Sequence, residues 1–555
     1  MVRATFSGFN TALSALQANQ KRLDITGQNL SNMNTAGYTR QQLEASSLNY
    51  TNPVSHYSNG NETAVGFGVS MDRVSQIRDP YLDIQYRSQS ADCSYTNRLQ
   101  TALNSLSKVL DETTISGIRQ AFDDIQSTLT SMQDPAKVSD PIYESELRTK
   151  MQSVCNLFNQ ASRQITQAEQ NEFQRLTGEG SSEQGDVQKI NDILRQIGDL
   201  NVQIKRNQVA GHPSLELQDE RNLLLDELSG YIPVETRYYK DDAHSGNNAY
   251  DYDANGAVIG KKDWPDDLEV SMNYIDAQGK SQKLILVNGS DLGADGLTKN
   301  YGQLSMLKGD HQTAASVSDP ANISIKFEKA PSYKGNGQAA TDVYAELKGI
   351  HFEGGSLQAS LDMLQKKGTG NVINGSVDDV RGYQYYSEKL DQLADTFAKS
   401  MNASNNGNNH KDQNLLSNST DDSTNGITAG NIGISKGWTS GTVHISTDGT
   451  NRTDTILDMI AAMKDTKKLN GKTFADYMNN LSTQLASDSS SNQTALKTGT
   501  TVLNSIQDSR DSLSGVSLDE EATNMMAYVS AYNAASRLMT ALDEVLNTLI
   551  SNTGA

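Results

Sequence analysis

The chain has 555 residues, too long for one hydrophobic core, so two to four domains are expected. Its formal charge of −20 argues against nucleic acid as a partner, because phosphate contacts need a basic surface. No apolar run approaches the roughly eighteen residues a membrane span requires, so no membrane insertion is predicted.

In chain order, residues 1–30 read as helix. Phe6, Phe9, Leu13, Leu16, Leu23 and Leu30 fall on one alternating three-and-four register, with Gln20 and Gly27 in the remaining slots. This is a coiled-coil seam, a surface that needs another helix to bury it. The start lacks the pattern of a cleavable secretory signal. Asn29 to Gly37 follows as a turn rich in Asn, Thr and Gly, and residues 40–90 read as irregular with short strand-like pieces.

Residues 92–230 read almost wholly as helix. The clearest stretch is 141–177, with Asp140 as cap, Pro141 in the first helical position and Gly178 as terminator. Its apolar stripe runs from Leu147 through Met151, Val154, Phe158 and Ala161 to Ile165 and Ala168. A helix of that length spans roughly 50–55 Å. A second stripe, Val187, Ile190, Leu194, Ile197 and Ile204, carries Asn201 in register, and the Gly178–Gly185 linker predicts an antiparallel pair with the first.

The pattern turns strand-like at Tyr231 and stays so to about His351, with turn signals between short apolar runs. Helix returns near Ser356 and strengthens over Asp378–Met401. The Asn/Ser/Gly-rich stretch 402–425 reads as a mobile loop. Helix returns again at 454–485, and from 494 to the end. There Leu518, Met525, Tyr532, Met539 and Leu546 keep a seven-residue step, with Tyr528, Ala535, Leu542 and Leu549 in the companion positions. Ser517 and Glu520 suit a capping box, and Asp519 to Glu521 complement the helix dipole.

Candidate chemistry is sparse. Asp251-Tyr-Asp253-Ala-Asn255-Gly256 begins like a calcium loop, but its twelfth position is Lys262 instead of a bidentate Glu, and a β-hairpin turn explains the same residues. The seven histidines are dispersed, and Cys93 and Cys155 read as free thiols. No catalytic, metal or cofactor-binding residues are predicted, and the chain is expected not to be an enzyme.

Two strings remain, one beside each terminal helix. The first is Asn29-Leu-Ser-Asn32-Met-Asn34-Thr35-Ala-Gly37-Tyr38-Thr-Arg40. The second is Val516-Ser-Leu518-Asp519-Glu520-Glu521 followed by Tyr528-x-x-Ala531-Tyr532-x-Ala534. Together they resemble the paired terminal motifs of the flagellar axial proteins, the rod, hook and hook-associated family. Ala36 stands where relatives usually have proline, and Val529 where they usually have Gln. The helical run that follows is similar to the hook-associated branch. It opens with Arg78-Asp79-Pro-Tyr81-Leu82 and Tyr86-Arg87, passes Asp134-Pro135, and closes with Leu217 to Leu228 including Asp219, Arg221 and Asp226.

That resemblance implies a mainly α fold. Long antiparallel helices formed by the two ends (1–45 and 510–555) would serve assembly. A rod-like helical domain (46–230 and 356–509) would carry an inserted β-rich outer domain (231–355). It also implies a structural role as the first protein joining hook to filament, in a homo-oligomeric ring touching the hook protein and the second junction protein. An export chaperone would cover the C-terminal helix, and the flagellar type III apparatus would deliver the chain outside the cell without a cleaved signal. The seam residues, with Asn29, Asn32, Asn34, Thr35, Gly37, Tyr38, Arg40, Glu520 and Glu521, are the expected subunit-assembly residues. Another axial protein (hook or distal rod) or a secreted coiled-coil adhesin is the alternative. Both ends are expected to be mobile in the free chain and to order on assembly.

Overall fold

Helices α1 (Val2–Ser31) and α13 (Leu518–Thr553) are the two ends of the chain and run antiparallel along each other. The computed structural model describes residues 2–48, 68–110, 112–138, 140–210, 212–240, 250–252, 258–261, 266–275, 280–289, 299–308, 313–328, 330, 333–334, 338–339, 352–373, 376–407, 412–446 and 453–553. After α1 comes an antiparallel hairpin, β1 (Gln41–Ser47) with β2 (Val69–Gln76), carrying a bulge at Glu44/Ala45. The segment read as irregular therefore contains two paired strands. The next helix also starts earlier than expected, at Pro80, because Asp79 accepts a hydrogen bond from the Tyr81 amide and proline takes the first helical position.

The helical body consists of α2 (Pro80–Val109), α3 (Glu112–Ser131), α4 (Pro135–Val138), α5 (Pro141–Thr177), α6 (Asp186–Val209) and α7 (Leu215–Tyr231). After the strands it continues as α8 (Ser356–Gln365), α9 (Tyr383–Asn406), α10 (Lys436–Ser440), α11 (Asp454–Lys464) and α12 (Phe474–Ser514). Helix α5 has the expected ends: Asp140 caps it, and Gly178 stops it at φ 77°, a left-handed conformation that costs glycine little. Its stripe from Leu147 to Ile165 is fully buried. The expected pairing of α5 with α6 is corrected, since α6 packs chiefly on α7 and the strands and touches α5 far less.

Strands β3 (Glu235–Lys240), β6 (Asp266–Ile275) and β7 (Ser281–Asn288) form one sheet in the order 3-6-7. Strands β4 (Tyr250–Tyr252) and β5 (Val258–Lys261) pair as a hairpin, as do β8 (Gln303–Lys308) and β9 (Ile323–Glu328). The β4–β5 pairing brackets the calcium-like string; positions 253–257 and 262 lie outside the described residues. Two-residue strands β10 (Tyr333–Lys334), β11 (Gln338–Ala339), β12 (Val372–Ile373) and β13 (Ser376–Val377) make two small ribbons.

One apolar core joins these parts. It runs from α2 and α3 through α5 and α9 to α11 and the start of α12, and continues into Leu268, Val270, Leu284 and Leu286 on the sheet. At its centre the rings of Phe122, Phe158, Phe397 and Phe474 pack with centroids 5.2–6.1 Å apart. Asn201, the polar residue in the α6 stripe, donates to the Leu268 and Gly289 carbonyls and so ties helix to sheet.

The Asn/Ser-rich stretch after α9 is not the loose loop its composition suggested. Leu415 and Leu416 are fully buried, and β14 (Leu416–Asn418) pairs with β15 (Ile432–Ile434). The Asn402 amide oxygen accepts from both Leu415 and Leu416 amides, and Asn405 donates to the Gln413 and His444 carbonyls. These asparagines serve as buried substitutes for backbone partners. Residues 408–411 lie outside the described set.

Candidate functional site where the chain ends meet the helical body

Helix α1 ends in a tight polar turn. Asn29, fully buried, donates to the Gln41 carbonyl and accepts from both the Tyr38 hydroxyl (2.9 Å) and the Gln41 amide (3.0 Å). One side chain thus fixes the angle between α1 and the hairpin. Burial and nearby carboxylates hold the Tyr38 hydroxyl protonated, raising its pKa well above the usual phenol range. Gly37 sits at φ 77°, with Leu223 of α7 beside it. Asn32 bonds within the turn, to the Gln28 carbonyl and from the Thr35 hydroxyl. Asn34 is exposed.

Past the turn the chain locks onto the body. Thr39 donates through its amide (3.0 Å) and hydroxyl (2.6 Å) to the two carboxylate oxygens of Asp219 on α7. Burial pushes the Asp219 carboxyl up to about 6, with the Thr39 bonds and Arg78 opposing that rise. Around it three arginines alternate with carboxylates. Arg78 grips Asp83, Arg87 bonds Asp226 (2.8 Å), and Arg510 at the end of α12 bridges Asp83 (3.1 Å) and Asp226 (2.7 Å) while lying 4.2 Å over the Tyr86 ring. Helices α2, α7 and α12 meet at this cluster.

Arg40 reaches the other chain end. Its guanidinium bonds Glu520 and Glu521 of α13, each at 2.7 Å, and its amide donates to the Ser514 carbonyl at 2.9 Å. Glu521 is only 2% exposed, so Arg40 is its counter-charge inside the protein. Glu520, expected to close a capping box with Ser517, gives its carboxylate to Arg40 instead. A residue 480 positions away competes successfully because a charge-assisted bond outweighs a neutral cap. An open cleft of about 790 Å³ lies here, between the 33–40 turn and the α12–α13 link. The arginines on its wall are already paired with carboxylates.

The seam residues divide unequally. On α13, Met525, Tyr528, Ala535, Met539, Leu542 and Leu546 lie half-buried or buried, while Leu518, Tyr532 and Leu549 are exposed. On α1 the contact with α13 runs through Gly8, which meets Leu542, and Arg22, which lies over the Tyr528 ring. With buried Ala12, Asn19 and Thr26 these form a heptad one residue ahead of the expected leucine register. Small residues at Gly8, Ala12 and Ala15 admit a close helix. The hairpin takes the adjoining side, where the Val69 amide donates to the Ser14 hydroxyl. Phe9, Leu16, Leu23 and Leu30 are left half-buried and Leu13 is 46% exposed. The Phe6 side chain lies outside the described residues.

Sequence reasoning did not select Asp83, Asp219, Asp226 or Arg510 as site residues. The available signal was acids seven apart on one face of α7, at Asp219 and Asp226, a spacing that keeps both against the same neighbour. Among the described residues no group of His, Cys, Asp and Glu is disposed to hold a metal ion. The two cysteines are free thiols, Cys155 buried and Cys93 with its Sγ 3.4 Å from the Thr500 hydroxyl.

Comparison with known proteins gives this arrangement, terminal helices paired beside a closed body and joined to it by a buried charge cluster, its class: a structural axial protein of the flagellum. The comparisons agree at both ends. Residues 9–39 match the flagella basal body rod protein family, and 509–552 match the C-terminal family of the flagellar basal body rod FlgEFG proteins. Residues 103–416, more than half the chain, match the flagellar hook-associated protein FlgK helical domain. The chain belongs to this FlgK family of hook-associated junction proteins. It is 29% identical to flagellar hook-associated protein 1 of Bacillus subtilis, over 99% of both chains. It is also 29% identical to the Salmonella typhimurium protein of that name, over 41% of this chain and 38% of the relative. A solved structure, the flagellar hook junction protein FlgK from Burkholderia pseudomallei, aligns at TM-score 0.37 and 19% identity, over 61% of this chain and 45% of its own. No helix among the described residues is long and apolar enough to cross a membrane.

Proposed function

We propose that this chain is the first junction protein between hook and filament, built in as a ring of identical subunits through its terminal helices. The observation that carries this reading is the contrast between a body with a large, fully covered aromatic and aliphatic core and a terminal pair whose large apolar side chains stay half open. Ordering a residue costs about 1–2 kcal/mol. A fully buried Leu or Phe returns roughly 1.5–3 kcal/mol, and the α1–α13 contact buries mainly alanines. The pair therefore gains most of its stability in company.

In this reading residues 1–45 and 510–555 are the assembly part, 46–230 with 356–509 the rod-like body, and 231–355 the outward β-rich part. The hook protein lies on one side and the second junction protein on the other. An export chaperone covers α13 until the type III apparatus passes the chain out of the cell. The seam and motif residues act by contact, and no residue acts in catalysis. Arg40 transmits position from the ends to the body.

Deleting residues 1–40 tests the proposal. The expected result is non-motile cells with hooks lacking filaments and filament subunits shed into the medium. Unchanged motility overturns it.

A further inference from the structure

Burial within the body stops partway along α12. The first part of that helix is held by Phe474, Tyr477, Met478, Leu481 and Leu485, all buried. Residues 486–514 continue the same helix, and among them no residue is buried. Their half-buried row, from Ser489 through Asn492, Leu496, Gly499 and Leu503 to Arg510, keeps a three-and-four register along α2. The contacts it makes are polar. Ser489 accepts from the Gln100 amide (2.8 Å), and Asn492 donates to the Thr96 carbonyl (2.8 Å) and to Gln100 (2.9 Å). The Thr500 hydroxyl lies 3.4 Å from the Cys93 thiol. Bonds of this kind exchange with water at small net gain. The helix itself is weak here. More than half of 486–514 is Ser, Thr, Asn, Asp or Gly, and Thr494, Thr498, Thr500 and Thr501 turn their hydroxyls back onto carbonyls four residues earlier.

We infer that residues 489–514 form a strap, rooted at Asp488, that opens from α2 in the free chain as a unit of its own and is fastened at its far end by Arg510. Both fastenings are ion pairs. At the root Arg381 holds the two carboxylate oxygens of Asp488, at 2.7 and 2.9 Å. At the far end Arg510 bridges Asp83 and Asp226 and lies over the Tyr86 ring. Helix α2 does not need the strap to stay folded, because it also packs on α7 and α8. The strap's last residue is tied to the chain ends, since the Arg40 amide donates to the Ser514 carbonyl while its guanidinium holds Glu520 and Glu521. Ordering the ends therefore favours the closed strap, and a closed strap favours ordered ends by the same factor. Opening concerns one copy alone. Closing on assembly rests on the junction reading above.

Amide exchange on the dilute free chain tests this. Amides of residues 492–510 are expected to exchange at least ~100-fold faster than those of 477–485 in the same helix. Equal protection of the two parts overturns the inference. Arg510→Ala is expected to speed exchange over 492–510 by about tenfold and leave 477–485 unmoved; an equal change in both parts, or none in either, overturns the latch. As a second measurement, Thr500→Cys sets a thiol against Cys93, while Cys155 is buried on α5 and takes no part. Mild oxidation is expected to join Cys93 to the new cysteine and slow exchange over 492–510 at least ~tenfold, reversibly with reductant. Failure of that disulfide to form, or exchange unaltered by it, overturns the strap. In isolated flagella 492–510 should exchange as slowly as 477–485. Fast exchange there with filaments attached overturns the coupling to the ends and leaves the junction reading standing. That reading fails separately if the 1–40 deletion keeps its filaments.

Discussion

The body and the terminal pair are both helical, yet they solve burial in opposite ways. In the body, Phe122, Phe158, Phe397 and Phe474 lie among residues with almost no exposed surface. Among the described residues of α1 and α13 the buried apolar ones are Ala12, Ala18, Ile25 and Ala535, while Met526, Leu538, Val545 and Ile550 face outward. Closure within one copy makes the body a folding unit. Lack of closure makes the ends a joining device.

The contrast can be broken first where it is strongest. Phe122→Ala leaves a cavity in the aromatic cluster and is expected to cost about 3–5 kcal/mol. Its Tm in a thermal melt should fall well below the parent's, and an unchanged Tm would mean the core is looser than its packing implies. Arg40→Ala strands the Glu521 carboxylate inside the protein, and breaking such a pair costs about 3–5 kcal/mol. The loss should appear as faster amide exchange along α13 of the chain in isolated flagella, with the Tm of the free body unmoved. Arg40→Lys should restore little, since lysine cannot reach both glutamates in a fork.

The junction sharpens the comparison through pH. Asp219 has its carboxyl raised above the ordinary carboxylate value by burial, to about 6. The folded chain therefore holds the proton more tightly than the unfolded one. That stabilising contribution is complete below about pH 4 and is lost as pH rises through 6. The stability advantage of the parent over Asp219→Ala is expected to be greater at pH 4 than at pH 7.5, by roughly 1–3 kcal/mol. A difference that shrinks on acidification would contradict the assignment. The smallest effect belongs to the open face: Leu538→Ala should change the free chain's stability by no more than about 0.5 kcal/mol, measured by denaturant titration.

Much of this was legible in the residues. Helix α5 announced itself because Asp140, Pro141 and Gly178 act locally and its stripe has one neighbour to satisfy. The α13 stripe was legible in part: Met525, Tyr528, Ala535, Met539, Leu542 and Leu546 are covered, while Leu518, Tyr532 and Leu549 are exposed. Within one copy α1 meets α13 one position ahead of the leucine row, because glycine and alanine allow the closer approach, and the pattern of large apolar residues alone does not show this. The Asn402 and Asn405 contacts were hidden because asparagine marks loops and buried backbone partners alike. The charge cluster was legible only as motif residues, Arg78, Arg87, Asp219 and Asp226, and not as a contact. Asp83, Asp219 and Asp226 look like solvated helix faces until Arg510, nearly 300 residues beyond Asp226, is brought beside two of them.

Amide hydrogen exchange on the dilute free chain, compared with the chain in isolated flagella, tests the central claim most directly. The account predicts strong protection of α3, α5 and α9 in both states, with α1 and α13 weakly protected when free and strongly protected once assembled. Terminal helices as protected in the dilute chain as the aromatic core would contradict it.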